Sequence, residues 1–166
     1  MSLIITVCTS EGIVMASDSR STYNKTETNG TSKTIKFGVH FTDTTYKTFL
    51  CDDRIGISTC GNGTICGMSI ASHIESYINN EYKQTDSVKE TASKVLDFFS
   101  KLPHSEPVIF HIAGYEKEDS KDVFRMYRIV TLANSNVLSI NNNAARTSAA
   151  GDGSTEPILY FHSHRE

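Results

Sequence analysis

The chain has 166 residues, 38% hydrophobic and 21% charged, with ten glycines and three prolines, proportions that suit one globular domain with its own core rather than a disordered or fibrous chain. At this length roughly two thirds of the unfolded surface is buried on folding, so stability requires neither disulfides nor a metal. A net charge of −3 gives no electrostatic reason for nucleic acid or an anionic membrane as partner, and the absence of a long apolar run or a basic-then-apolar leader points to a cytoplasmic protein.

In chain order, Leu3 to Cys8 is a β-branched run closed by the turn Ser10 to Gly12, and Ile13 to Ser17 is a second apolar run, which together predict a hairpin. Ser19 to Thr34 is rich in Ser, Thr, Asn and Lys and reads as an exposed loop with at most a short strand. Thr45 to Cys51, the turn Asp52 to Arg54, and Ile55 to Thr59 predict a second hairpin. After Gly61 the period changes: Ile65, Met68, Ala71, Ile74, Ile78 and Tyr82 recur at three and four, as in an amphipathic helix. Ser87 and Glu90 match a capping box ahead of Val88, Ala92, Val95, Phe99 and Leu102, a second helix stopped by Pro103.

Val108 to Ala113, Phe124 to Leu132, Val137 to Ile140 and Ala144 to Ala150 read as strands, separated by Gly114, the charged stretch Glu116 to Asp122, and Asn141 to Asn143. Strands, two helices, then strands again argue for two antiparallel sheets stacked face to face with helices outside. No linker or repeat divides residues 1–166 into more than one domain. Cys8, Cys51, Cys60 and Cys66 lie in apolar or Gly-rich surroundings without a C-x-x-C pair and read as reduced thiols, with no metal or cofactor implied. His73 and His111 fall within apolar patterns and read as core or surface histidines rather than ligands.

Three segments carry a resemblance. Gly12 to Arg20 is a glycine turn and an apolar strand ending in Asp18, Ser19 and Arg20; Lys47 and Gly61 frame a hairpin fourteen residues apart; and Ala150 to Ser154 is a Gly-rich turn. In that order they resemble proteasome β-subunits and the peptidase subunit of the bacterial two-component ATP-dependent protease, members of the N-terminal-nucleophile (Ntn) hydrolases. The resemblance covers most of residues 2–154, apart from a loop Thr22 to Thr44 longer than usual by about a dozen residues. It implies an α+β fold, the four-layer αββα sandwich of two antiparallel sheets flanked by helices.

It also implies a chemistry. The position matching the family's nucleophile is Ser2, whose hydroxyl would attack a peptide carbonyl once removal of Met1 frees the α-amine to act as base. With Met1 attached that nitrogen is an amide and not a base. Lys47 matches the catalytic lysine, with Asp18 and Arg20 as the network that holds it. Gly61 matches the backbone N–H of the oxyanion hole, while Ser21, Thr59, Cys60, Asn62 and Gly63 would line the substrate cleft. Asp152 stands where the family has a serine beside the nucleophile, and beyond it only Thr155 to Glu166 remain where the family continues with a helix pair and closing strands, so the resemblance implies either a chain truncated at the C-terminus or a site with part of its residues missing.

The first functional expectation is therefore a cytoplasmic endopeptidase acting on peptides or unfolded polypeptide, assembled as a homo-oligomer and possible client of an ATPase partner. The second is a catalytically inactive scaffold or binding subunit of the same fold. An amidohydrolase acting on small amides is the third.

Overall fold

A computed structural model describes residues 2–9, 11–131, 137–139 and 146–151. The elements are β1 (Leu3–Cys8), β2 (Ile13–Ser17), β3 (Ser21–Asn29), β4 (Ser32–Thr42), β5 (Thr48–Leu50), β6 (Ile55–Gly61), β7 (Thr64–Ile65), β8 (Met68–Ser69), α1 (Ile70–Asn80), α2 (Val88–Ser100), β9 (Val108–Glu118), β10 (Lys121–Thr131), β11 (Val137–Ser139) and β12 (Arg146–Gly151). The fold is mixed, and its strand pairings are antiparallel. One sheet has the order β12-β1-β2 and a larger one the order β11-β10-β9-β6-β5.

Side-chain alternation sorts these residues between two interiors. On one face of the larger sheet, Ile55, Ile57, Val108, Phe110, Ile112 and Ile129 pack with Ile74 and Tyr77 of α1 and Val88, Val95 and Phe99 of α2. The alternate residues face the smaller sheet: Cys60 and Ile109 meet Ile4, and Ala113 and Met126 meet Cys8. Both helices thus cover the same sheet face. Helices on the outside of both sheets were the expectation; among the described residues the smaller sheet's outer face carries none, and Leu3 and Val14 are exposed.

The helix starts later than its periodicity predicts. Ile65 is buried in the same core as α1, which is why it continues the apolar pattern, but Cys66 and Gly67 both have positive φ (52° and 76°) and turn the chain between β7 and β8 instead. Ser69 then caps α1 by accepting the Ser72 N–H at 3.0 Å. The second helix begins where its capping box places it, with Glu90 N–H to Ser87 Oγ at 3.1 Å and Ser87 N–H to Glu90 Oε2 at 2.8 Å.

Two loops in the sequence reading are strands. The expected loop after Ser19 is the β3–β4 hairpin, with a bulge where the register slips between Tyr23↔His40 and Lys25↔Lys36 around Gly38. None of its described side chains is buried, so burial imposes no alternation there: Ile35, Val39 and Phe41 are exposed. The charged stretch Glu116 to Asp122 extends β9 and β10 instead of separating them, turning only at Asp119 and Ser120, where φ is 49° and 65°. Ion pairs of Lys117 with Asp122 and Arg125 with Glu118 sit on this solvated end.

Candidate functional site

The pairing of β1 with β2 sets Ile4 opposite Ser17, so Ser2 and Asp18 emerge at the same end of the smaller sheet. Asp18 N–H donates to Leu3 O at 3.1 Å, and Leu3 N–H donates to Asp18 Oδ1 at 2.7 Å. Lys47 reaches that corner from the facing sheet, where it enters β5 and its carbonyl accepts the Thr59 N–H at 2.8 Å.

The Lys47 side chain is 7% exposed and ends among three acceptors. Its Nζ lies 2.9 Å from Asp18 Oδ2, 3.0 Å from Ser2 Oγ and 2.5 Å from the backbone oxygen of Arg20. Three acceptors match the three donors of an ammonium. Ser2 Oγ therefore receives a hydrogen bond from Lys47 and keeps its own proton for another acceptor, while the cation stands where negative charge on Oγ would be stabilised. Burial alone would raise the Asp18 carboxyl; hydrogen bonds from Leu3, Lys47 and Arg20, with the Lys47 charge, outweigh it and hold the group below its ordinary value.

Arg20 corrects the sequence reading. Its guanidinium does not join the network around Lys47 but turns outward to Asp43, at 2.7 Å, and stacks 5.2 Å from the centre of the Phe41 ring. Only its backbone serves the site, through the carbonyl bound to Lys47 and the N–H that donates to Asp18 Oδ2 at 3.1 Å. Two cations beside one carboxylate would repel each other in a partly buried corner, and Asp43 gives the second an exposed partner.

Beside this corner opens a cleft of about 600 Å³. Ser2, Ser21, Thr45, Tyr46, Lys47 and Thr59 to Thr64 line it, so Ser21, Thr59, Cys60, Asn62 and Gly63 all border it as expected. Cys60 is mostly withdrawn from it, buried against Ile4 and Ile109. Thr59 is 5% exposed, and its Oγ1 has no hydrogen-bond partner among the described residues.

Gly61 ends β6 opposite Val108 with φ +101°. A Cβ there would stand 2.5 Å from the Pro107 carbonyl oxygen, so glycine is required by backbone packing as well as by conformation. Asn62 N–H donates to Pro107 O at 3.1 Å, whereas Thr59 N–H points the other way, to Lys47 O. Strand alternation gives Gly61 N–H the direction of Thr59 N–H, toward the cleft beyond the start of β5.

Asp152 lies outside the described residues; β12 ends just before it, with Gly151 opposite Leu3. Sequence reasoning missed Tyr46, Glu106, Pro107 and the start of α1 as cleft walls. Glu106 and Pro107 arrive through the pairing of β6 with β9, which joins segments more than forty residues apart, and nothing local in the sequence announces that neighbourhood. Among the described residues no cluster of His, Cys, Asp or Glu is arranged to hold a metal ion, and no helix there is long and apolar enough to cross a membrane.

Comparison with protein-family models finds no family that matches the chain, and comparison with curated proteins finds no significant match.

Proposed function

We propose that the chain is a proteasome-like Ntn peptidase whose nucleophile is Ser2 Oγ, acting on peptides once Met1 is removed. The observation that carries the reading is the contact of Lys47 Nζ with both Ser2 Oγ and Asp18 Oδ2, at 3.0 and 2.9 Å, at the head of a cleft. In this reading the sandwich and its helix layer belong to the four-layer αββα architecture.

The steps follow from the groups present. The α-amine of Ser2, with a reference pKa near ~8, accepts the hydroxyl proton directly or through a water as Oγ attacks the peptide carbonyl carbon. Lys47 stabilises the charge developing on Oγ, and Gly61 N–H donates to the carbonyl oxygen as it becomes an oxyanion. The C–N bond breaks as the leaving amine takes the proton, leaving an ester on Ser2. Water then attacks that ester with the same amine as base, releasing the acid and restoring the hydroxyl.

The test is turnover of a mixed peptide pool by protein with Ser2 as its first residue, beside the Ser2→Ala variant. Cleavage that disappears with Ser2→Ala supports the peptidase. Equal, null turnover by both proteins removes it in favour of the scaffold reading, and turnover of acyl-amino acids with peptides intact would favour a small-amide hydrolase.

A further inference from the structure

We infer that the cleft selects peptides carrying lysine or arginine at the cleaved bond, and that Glu106 is the residue that reads the cation. The inference rests on the peptidase reading of this cleft and adds its substrate class.

Among the described residues bordering the cleft, only Lys47 and Glu106 carry a charged side chain. Lys47 is fully engaged: Asp18 neutralises it, and its remaining donors go to Ser2 Oγ and Arg20 O. The other lining side chains are mostly hydroxyls, an amide and small apolar groups. Glu106 is exposed and makes no ion pair or hydrogen bond with another described residue. The nearby His104 does not answer it, because its ring nitrogens meet Leu102 O at 2.7 Å and Thr131 O at 2.9 Å. Among the described residues the cleft therefore presents one carboxylate without an ion-pair partner, and its concave walls focus that negative field on whatever enters.

Position supports the assignment. Pairing of Gly61 with Val108, continued by the bond from Asn62 N–H to Pro107 O, brings Glu106, the next residue, to the β9 side of Gly61. Gly61 is where the carbonyl under attack would lie, and both Gly61 and Glu106 border the cleft. Lys47 is on the opposite side, abreast of Thr59. A long cationic side chain beginning near Gly61 thus spans toward Glu106, whereas an acidic one would meet the carboxylate with like charge and an aliphatic one would leave it unanswered.

The experiment uses Met1-free protein and peptide amides identical except for Arg, Leu or Glu before the cleaved bond. The inference predicts kcat/KM in the order Arg, Leu, Glu, with the Arg-to-Leu ratio falling roughly tenfold in Glu106→Gln and the order reversing toward Glu in Glu106→Lys. Cleavage with an Arg-to-Leu ratio unaltered by Glu106→Gln overturns the inference and leaves the peptidase intact. If no peptide is cleaved, affinity of the Arg and Leu peptides for Ser2→Ala protein decides it separately: a preference for Arg lost in Glu106→Gln supports the cation site, and equal affinities overturn it.

Discussion

Lys47 Nζ lies 2.9 Å from Asp18 Oδ2, an ion pair between residues flanking strands of two different sheets with the lysine side chain 7% exposed and the aspartate 30%. Replacing Lys47 by Met leaves Asp18 without its cation in a partly closed corner and Ser2 Oγ without a donor. We expect a loss of stability of about 2 kcal/mol, measured by urea unfolding, since removing one partner of a buried pair strands the other. Lys47→Arg is expected not to restore reactivity of Ser2, because a planar guanidinium does not reproduce three convergent donors from one nitrogen. Peptide turnover by the two variants checks this.

Gly61→Ala should destabilise the protein by about 2–4 kcal/mol. The added Cβ would meet the backbone oxygen of Pro107 at 2.5 Å, and φ +101° lies outside the range that alanine adopts without strain. Thermal unfolding measures the loss, and a change below ~1 kcal/mol would mean that β6 and β9 separate easily at this end.

His111 makes stability depend on pH. Burial, and then the Arg128 charge, lower its pKa from 6.5 to about 4, and its Nδ1 lies 3.1 Å from Thr6 Oγ1 between the sheets. Between these two values the unfolded chain binds a proton that the folded chain does not, so stability rises with pH across that interval. The contribution is fully present above pH 6.5 and lost as pH falls toward 4, on the order of 3 kcal/mol. Urea unfolding at a series of pH values should show a shallower slope in His111→Gln over that window; an identical slope would contradict the assignment.

Thiol reactivity should separate the cysteines. Burial pushes Cys8 up to about 11, and burial with the Asp52 charge pushes Cys51 up to about 12, so neither supplies much thiolate at pH 8. Cys66 is exposed. Alkylation of native protein followed by peptide mapping should mark Cys66 first, with Cys8 and Cys51 modified only on unfolding.

What was legible in the sequence follows burial. Leu3 to Cys8 alternates because Ile4, Thr6 and Cys8 face the sandwich interior, and the second helix was readable because Ser87 and Glu90 satisfy its first turn locally. The β3–β4 hairpin was not, since Ile35, Val39 and Phe41 are all exposed. At the site, the family resemblance pointed to Ser2, Asp18 and Lys47, and these three side chains meet. The direction of the Arg20 guanidinium depends on Asp43, and the position of Glu106 on the pairing of β6 with β9. Such tertiary placements leave no periodic trace along the chain.

The most direct measurement is mass spectrometry of Met1-free protein after treatment with a peptide β-lactone, with the adduct mapped to a residue. The account predicts one acyl group on Ser2, absent in Lys47→Met protein that remains folded by circular dichroism. Labelling elsewhere, or intact Ser2 in protein shown to begin at that residue, would contradict the assignment of its hydroxyl as the nucleophile.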